Sequence, residues 1–130
     1  QLGNLEEVLQ MCGVDERFLP CIDFGHLNAR SHGAVNSADA FVEIVTQIEN
    51  ALGYDRMKVF HSHFSKIEYT DGGEKRHLTF EDTVYGPDFQ PLAELIAKRN
   101  LTPVFVCESA GSQAEDALDM MQRYSAALGE

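Results

Sequence analysis

The residues best suited to chemistry in this chain are carboxylates and imidazoles that follow short apolar runs. Phe18-Leu19-Pro20-Cys21-Ile22 leads into Asp23, and His26 follows three residues later. Met57-Lys58-Val59-Phe60 leads into His61-Ser62-His63, and Thr102-Pro103-Val104-Phe105-Val106-Cys107 leads into Glu108. Each run reads as a strand that hands donor side chains to its C-terminal end. His61 and His63, two apart on an extended chain, point to one face. A mixed set of carboxylate and imidazole donors suits a divalent cation, Zn²⁺ first, with Mn²⁺ or Mg²⁺ as the other choices.

Each donor has a plainer explanation when taken alone. Asp23 could cap the turn at Gly25, His61 could be a satisfied core histidine, and Glu108 could pair with a nearby Lys or Arg. Coincidence on three strand ends is what favours a shared site. No Gly-x-Gly-x-x-Gly or Walker-type loop follows a strand, which disfavours a nucleotide site. Glu108-Ser109-Ala110-Gly111 lacks a nucleophile elbow, and Cys107 lies inside the apolar run. His32, in the polar stretch His26 to Gly33, carries no second signal.

The elements that would position these donors alternate. Gly3 to Gly13 is a predicted helix with Asn4 as cap, Glu7 completing a capping box and Gly13 ending it with positive φ. Phe18 to Phe24 is the first strand. Ser37 caps a helix running to Leu52, with Phe41, Ile44, Val45 and Ile48 as its apolar stripe and Gly53 as its stop. Lys58 to Phe60 is the second strand, and Phe64 to Arg76 a polar loop. Leu78-Thr79-Phe80 could be a short strand. Asp88 caps a helix to Arg99. Val104 to Cys107 reads as a strand buried on both faces, and Ser112 with Glu115 opens a last helix through Leu118, Met121 and Leu128. Twelve or more residues separate the strands and hairpins are absent. The fold class is therefore α/β, with parallel βα repeats and right-handed crossovers. All strand C-termini then share one rim, the usual place for an active site.

Composition narrows the function classes. The 130 residues fit one domain, and 44% are hydrophobic. Ten Lys+Arg against 21 Asp+Glu give a net charge of −11, which argues against bulk electrostatic attraction to nucleic acid. Three cysteines in unrelated contexts read as reduced, and the expected compartment is the cytoplasm. No run is long enough for a membrane span. The chain begins at Gln1 and not Met, as a fragment or processed product would.

At these residues the chain resembles the endonuclease IV branch of the xylose isomerase-like TIM barrels. Asp23-x-x-His26 resembles the family's Asp-x-x-His after its fifth strand. Phe60-His61, with Lys66 five residues beyond, resembles the sixth strand, and Glu108 the metal-bridging glutamate of the eighth. Tyr85-Gly86-Pro87-Asp88-Phe89 resembles the segment leading into the seventh helix. The family's Asp-x-His of strand seven meets Glu74-Lys75-Arg76-His77 here, so either Glu74 or His77 matches.

The resemblance implies half of a TIM barrel, about strands 5–8. It implies metal ligands Asp23, His26, His61, Glu108 and one of Glu74 and His77. Glu108 would also hold the attacking water, and Lys66 would neutralise phosphate. The implied activity of the parent is phosphodiester hydrolysis beside abasic sites in DNA. The alternative is a metal-dependent sugar or sugar-phosphate isomerase or epimerase, and the third reading a structural half-barrel without activity. The open edges of a half-barrel lead to the expectation that two copies pair as a homodimer.

Overall fold

The computed structural model describes residues 3–129; Gln1, Leu2 and Glu130 lie outside them. Three strands, β1 (Cys21–Asp23), β2 (His61–Phe64) and β5 (Val104–Cys107), form one parallel sheet in the order β1-β2-β5. Strands β3 (Ile67–Thr70) and β4 (Gly73–His77) form a separate antiparallel hairpin. The helices are α1 (Leu5–Cys12), α2 (Phe24–Arg30), α3 (Ala38–Leu52), α4 (Tyr54–Lys58), α5 (Gln90–Lys98) and α6 (Gln113–Ala127). The α/β class with parallel strands is as the sequence implied.

Local chemistry explains the start of three helices, α1, α2 and α3. Asn4 and Glu7 exchange the two bonds of a capping box at the start of α1. Gly13 ends that helix at φ −69, so the expected left-handed stop is absent there. Ser37 caps α3 through Ala40 N–H, and Gly53 (φ 87) breaks it.

Other sequence-based expectations give way: Asp88 does not cap α5, whose N-cap is Phe89, Ser112 makes no capping bond to α6, and Leu78–Phe80 is not a strand. The supposed loop after Asp23 is helix α2, capped by Asp23 itself and anchored by the buried Phe24 and Ala29. Met57 and Lys58 belong to α4, so β2 starts at His61 and not before it. The supposed polar loop from Phe64 to Arg76 contains the β3–β4 hairpin, turned by Asp71-Gly72. Val104 and Val106 are 48% and 51% exposed, so β5 is covered on one face only. Because β5 pairs directly with β2, no strand stands between them, and Glu74 and His77 ride on the hairpin instead of on a sheet strand.

One face of the sheet carries Ile22, Phe64 and Phe105 toward the helices. Seven of the eight phenylalanines meet there in edge-on and stacked pairs centred on Phe24, Phe64 and Phe105; Phe18 is the exception, half exposed. Each fully buried phenylalanine contributes roughly 1.5–3 kcal/mol over an exposed one. The opposite face carries Cys21, Asp23, His61, His63, Val104 and Val106 and is left open.

Helix α2 can sit against the sheet only because Gly25 has no side chain. A Cβ there would lie 2.6 Å from the Ser65 carbonyl oxygen and 2.9 Å from Ile67 Cδ1. Alanine is otherwise the better helix residue by about 1 kcal/mol. The clash involves backbone and costs about 1–3 kcal/mol, so it reverses the sign. Gly25→Ala is therefore expected to destabilise by up to about 2 kcal/mol in urea titration; a stabilised variant would refute this packing.

Candidate metal centre

The parallel register builds the site. Cys21, His61 and Val104 are lateral partners in one row, and Asp23, His63 and Val106 form the next row toward the strand C-termini. Glu108 follows β5 by one residue, and its N–H continues the ladder onto the Phe64 carbonyl. Period-two alternation puts Asp23, His63 and Glu108 on the same open face. One donor atom from each lies within 4.8 Å of the others, and all three residues are half-buried.

Asp23 is held by its own helix. Its Oδ1 accepts the His26 N–H at 2.9 Å as the cap of α2, which leaves Oδ2 facing the site. Capping and metal ligation, rival explanations in the sequence, use different oxygens of one carboxylate. Oδ2 lies 2.5 Å from His26 Nδ1 and 4.0 Å from His63 Nδ1. The short contact to His26 lies off the ring's donor direction, so His26 Nδ1 remains a buried nitrogen without a hydrogen-bond partner. His26 Nε2 meets Glu74 Oε2 at 3.0 Å. His63 Nδ1 meets Glu108 Oε1 at 2.8 Å, while His77 Nε2 stands 3.8 Å from Glu108 Oε2. The hairpin thus folds Glu74 and His77 over the strand ends.

The donor set fits a divalent cation. Two carboxylates and an imidazole are the types Zn²⁺ accepts, and the buried His26 nitrogen without a hydrogen-bond partner lies beside the Asp23 oxygen that faces the site. The Cys21 thiol lies on the same face. Burial, then the negative charges of Asp23 and Glu108, hold its pKa above the usual thiol range.

The structure brings together Asp23, His26, Glu74, His77 and Glu108 from the expected set, and adds His63. It does not bring in His61. As the first residue of β2, His61 lies one row below His63, about 6.6 Å along the strand, away from the C-terminal rim. Lys66 also departs from expectation. It is 8% exposed, and its ammonium donates to the carbonyls of Phe80 (3.1 Å) and Asp82 (2.5 Å) and pairs with Asp88 at 3.3 Å. Those three contacts use all its protons, so it anchors the segment after the hairpin and has none left for a phosphate. Sequence reading missed the buried Ser65, whose Oγ lies 2.7 Å from His77 Nδ1. A serine between a strand and a lysine carries no sequence signal of its own.

The sequence matches the xylose isomerase-like TIM barrel family over residues 1–124. The chain belongs to this family. It is also 34% identical over 125 residues to an uncharacterized protein of Methanocaldococcus jannaschii, an alignment covering 96% of this chain and 44% of that protein. The chain therefore spans less than half the length of that relative. No solved structure matches it. Family membership agrees with consecutive parallel strands carrying donors at one rim, and a half-barrel is consistent with the open inner face. No helix among the described residues is long and apolar enough to cross a membrane.

Two outcomes follow. Lys66→Met should lower stability by about 1–3 kcal/mol, the cost of stranding buried carbonyls, while metal affinity measured by calorimetry stays within about twofold. A large affinity loss without destabilisation would return Lys66 to the site. Glu108→Gln should bring the Cys21 thiol down toward its ordinary range, so its alkylation at a fixed pH just above neutral, read by mass spectrometry, should speed up. An unchanged rate would separate Cys21 from the cluster's field.

Proposed function

We propose that the protein carrying this chain is a divalent-metal-dependent phosphodiester hydrolase resembling endonuclease IV, acting beside abasic sites in DNA. The observation that carries this reading is the convergence of Asp23, His63 and Glu108 at the strand C-terminal rim. Next to it, the His26–Glu74 pair offers a second set of donors, more than one ion requires. In this reading Asp23, His63 and Glu108 hold the first ion, and His26 with Glu74 contributes to a second. Zn²⁺ fits best, with Mn²⁺ or Mg²⁺ as alternatives. Bound divalent ions in such sites activate water and offset charge on phosphoryl oxygens.

The chain's own residues supply orientation. The cap of α2 fixes the direction of Asp23, and the hairpin closes over the strand ends with Glu74. This half of the family's ligand set alone is expected to be inactive. Three free cysteines support a reducing, cytoplasmic setting.

A second reading, a sugar or sugar-phosphate isomerase, is favoured by the charge around the site. Lys75 and Arg76 on the hairpin both pair with Glu68, at 3.5 and 2.7 Å, and Lys66 is occupied as described. A neutral sugar asks for no free cation, whereas DNA and a sugar phosphate both do, so the charge favours an unphosphorylated sugar.

The full-length protein should cleave an abasic duplex. His63→Ala should lower that activity by more than about 100-fold, beyond the 10–100-fold typical of losing a supporting residue, and His61→Ala should leave metal content intact. Turnover of free ketoses or their phosphates, with abasic DNA untouched, would transfer the site to the isomerase reading.

A further inference from the structure

We propose that His77 serves the site as a hydrogen-bond donor to substrate and not as a metal ligand, and that Ser65 is the positioning residue that fixes it in that role. The substrate part rests on the metal-site reading above; the assignment of the proton does not.

Ser65 follows β2 directly and is 1% exposed. Its backbone is fixed where α2 packs, since its carbonyl oxygen is the atom that excludes a side chain at position 25. Its Oγ lies 2.7 Å from His77 Nδ1, across the base of the hairpin, and has no other hydrogen-bond partner among the described residues. A serine hydroxyl has one proton to place, and a neutral imidazole has one donor and one acceptor nitrogen.

Two arrangements are possible. If Nδ1–H donated to Oγ, the hydroxyl proton would be buried with no acceptor. If the hydroxyl donates to Nδ1, that proton is satisfied and the ring's own proton sits on Nε2. The second arrangement leaves nothing orphaned. The other side of the ring agrees. Nε2 faces the Glu108 carboxylate at 3.8 Å, which favours an N–H over a lone pair there. Glu108 already meets His63 at 2.8 Å through its other oxygen.

His77 is about one-third exposed, so Nε2–H is reachable from solvent. At 3.8 Å it is too far from Glu108 for a full hydrogen bond and keeps its donor capacity. It would serve a substrate oxygen seated over Glu108: a phosphoryl oxygen in the hydrolase, a hydroxyl or carbonyl in the isomerase. Of the two candidates in the Glu74-Lys75-Arg76-His77 run, Glu74 then keeps the ligand role beside His26, and His77 takes a different one.

The test is the tautomer of His77 in the intact protein, read by long-range ¹H–¹⁵N correlation with labelled histidine at a pH where the ring is neutral. His77→Gln assigns the signal. The expected result is proton on Nε2, a mixture of tautomers in Ser65→Ala, and recovery in Ser65→Thr, which keeps the hydroxyl. His77→Ala should retain the full metal content while losing about 10²–10³ in kcat, the range for removing one preorganised donor. Proton on Nδ1 in the unsubstituted protein, or metal lost in His77→Ala, overturns the proposal. Proton on Nε2 in a protein that binds no metal would instead sink the metal reading and leave this assignment standing.

Discussion

Everything at the site depends on parallel register. Asp23 and His63 are lateral partners because Cys21 pairs with His61, and Glu108 reaches them because Val106 pairs with His63. A slip of one residue in β2 would turn His63 into the phenylalanine core and bring Phe64 to the open face. The core opposes such a slip. Phe64 is fully buried among Phe24, Phe80, Phe89 and Phe105, so the packing on one face fixes the donors on the other.

A second layer of constraints brings the hairpin over the rim. Gly25 lets α2 close onto the chain after β2, and Leu78 N–H bonds the Lys66 carbonyl at the hairpin's exit. The Lys66 ammonium holds the segment beyond it through Phe80, Asp82 and Asp88. Asp116 on α6 accepts the Phe80 N–H, so the same segment is tied to the helix after β5. Glu74 and His77 face the cluster because both ends of their hairpin are pinned, with Ser65 joined to His77 between them.

Much of this was legible in the sequence, and the misses have physical causes. The caps Asn4, Ser37 and Gly53 announce themselves because helix ends demand specific chemistry. The donors at Asp23, His26 and Glu108 stood out because they follow apolar runs. The resemblance of Phe60-His61 to the family's sixth strand points to His61, whereas Phe60 is a buried residue between α4 and β2 and the strand itself begins at His61. Helix α2 was hidden by Gly25 and Asn28, poor helix formers that tertiary packing tolerates because Phe24 and Ala29 are buried. The hairpin had a signal in Asp71-Gly72, a strong turn pair, but the charged run Glu74-Lys75-Arg76 masked its second strand. Lys66 is the case that no pattern could settle, since its partners are mostly carbonyls fixed by tertiary structure.

Family membership gives these constraints their setting: a barrel wall whose strand ends share one rim and whose inner face is open in this chain. The most direct measurement is anomalous diffraction at the zinc edge from crystals of the zinc-loaded intact protein. The expected result is an ion bonded at about 2.0–2.2 Å to Asp23, His63 and Glu108. An ion bound instead by His61 or Cys21, or none between those three side chains, would contradict it.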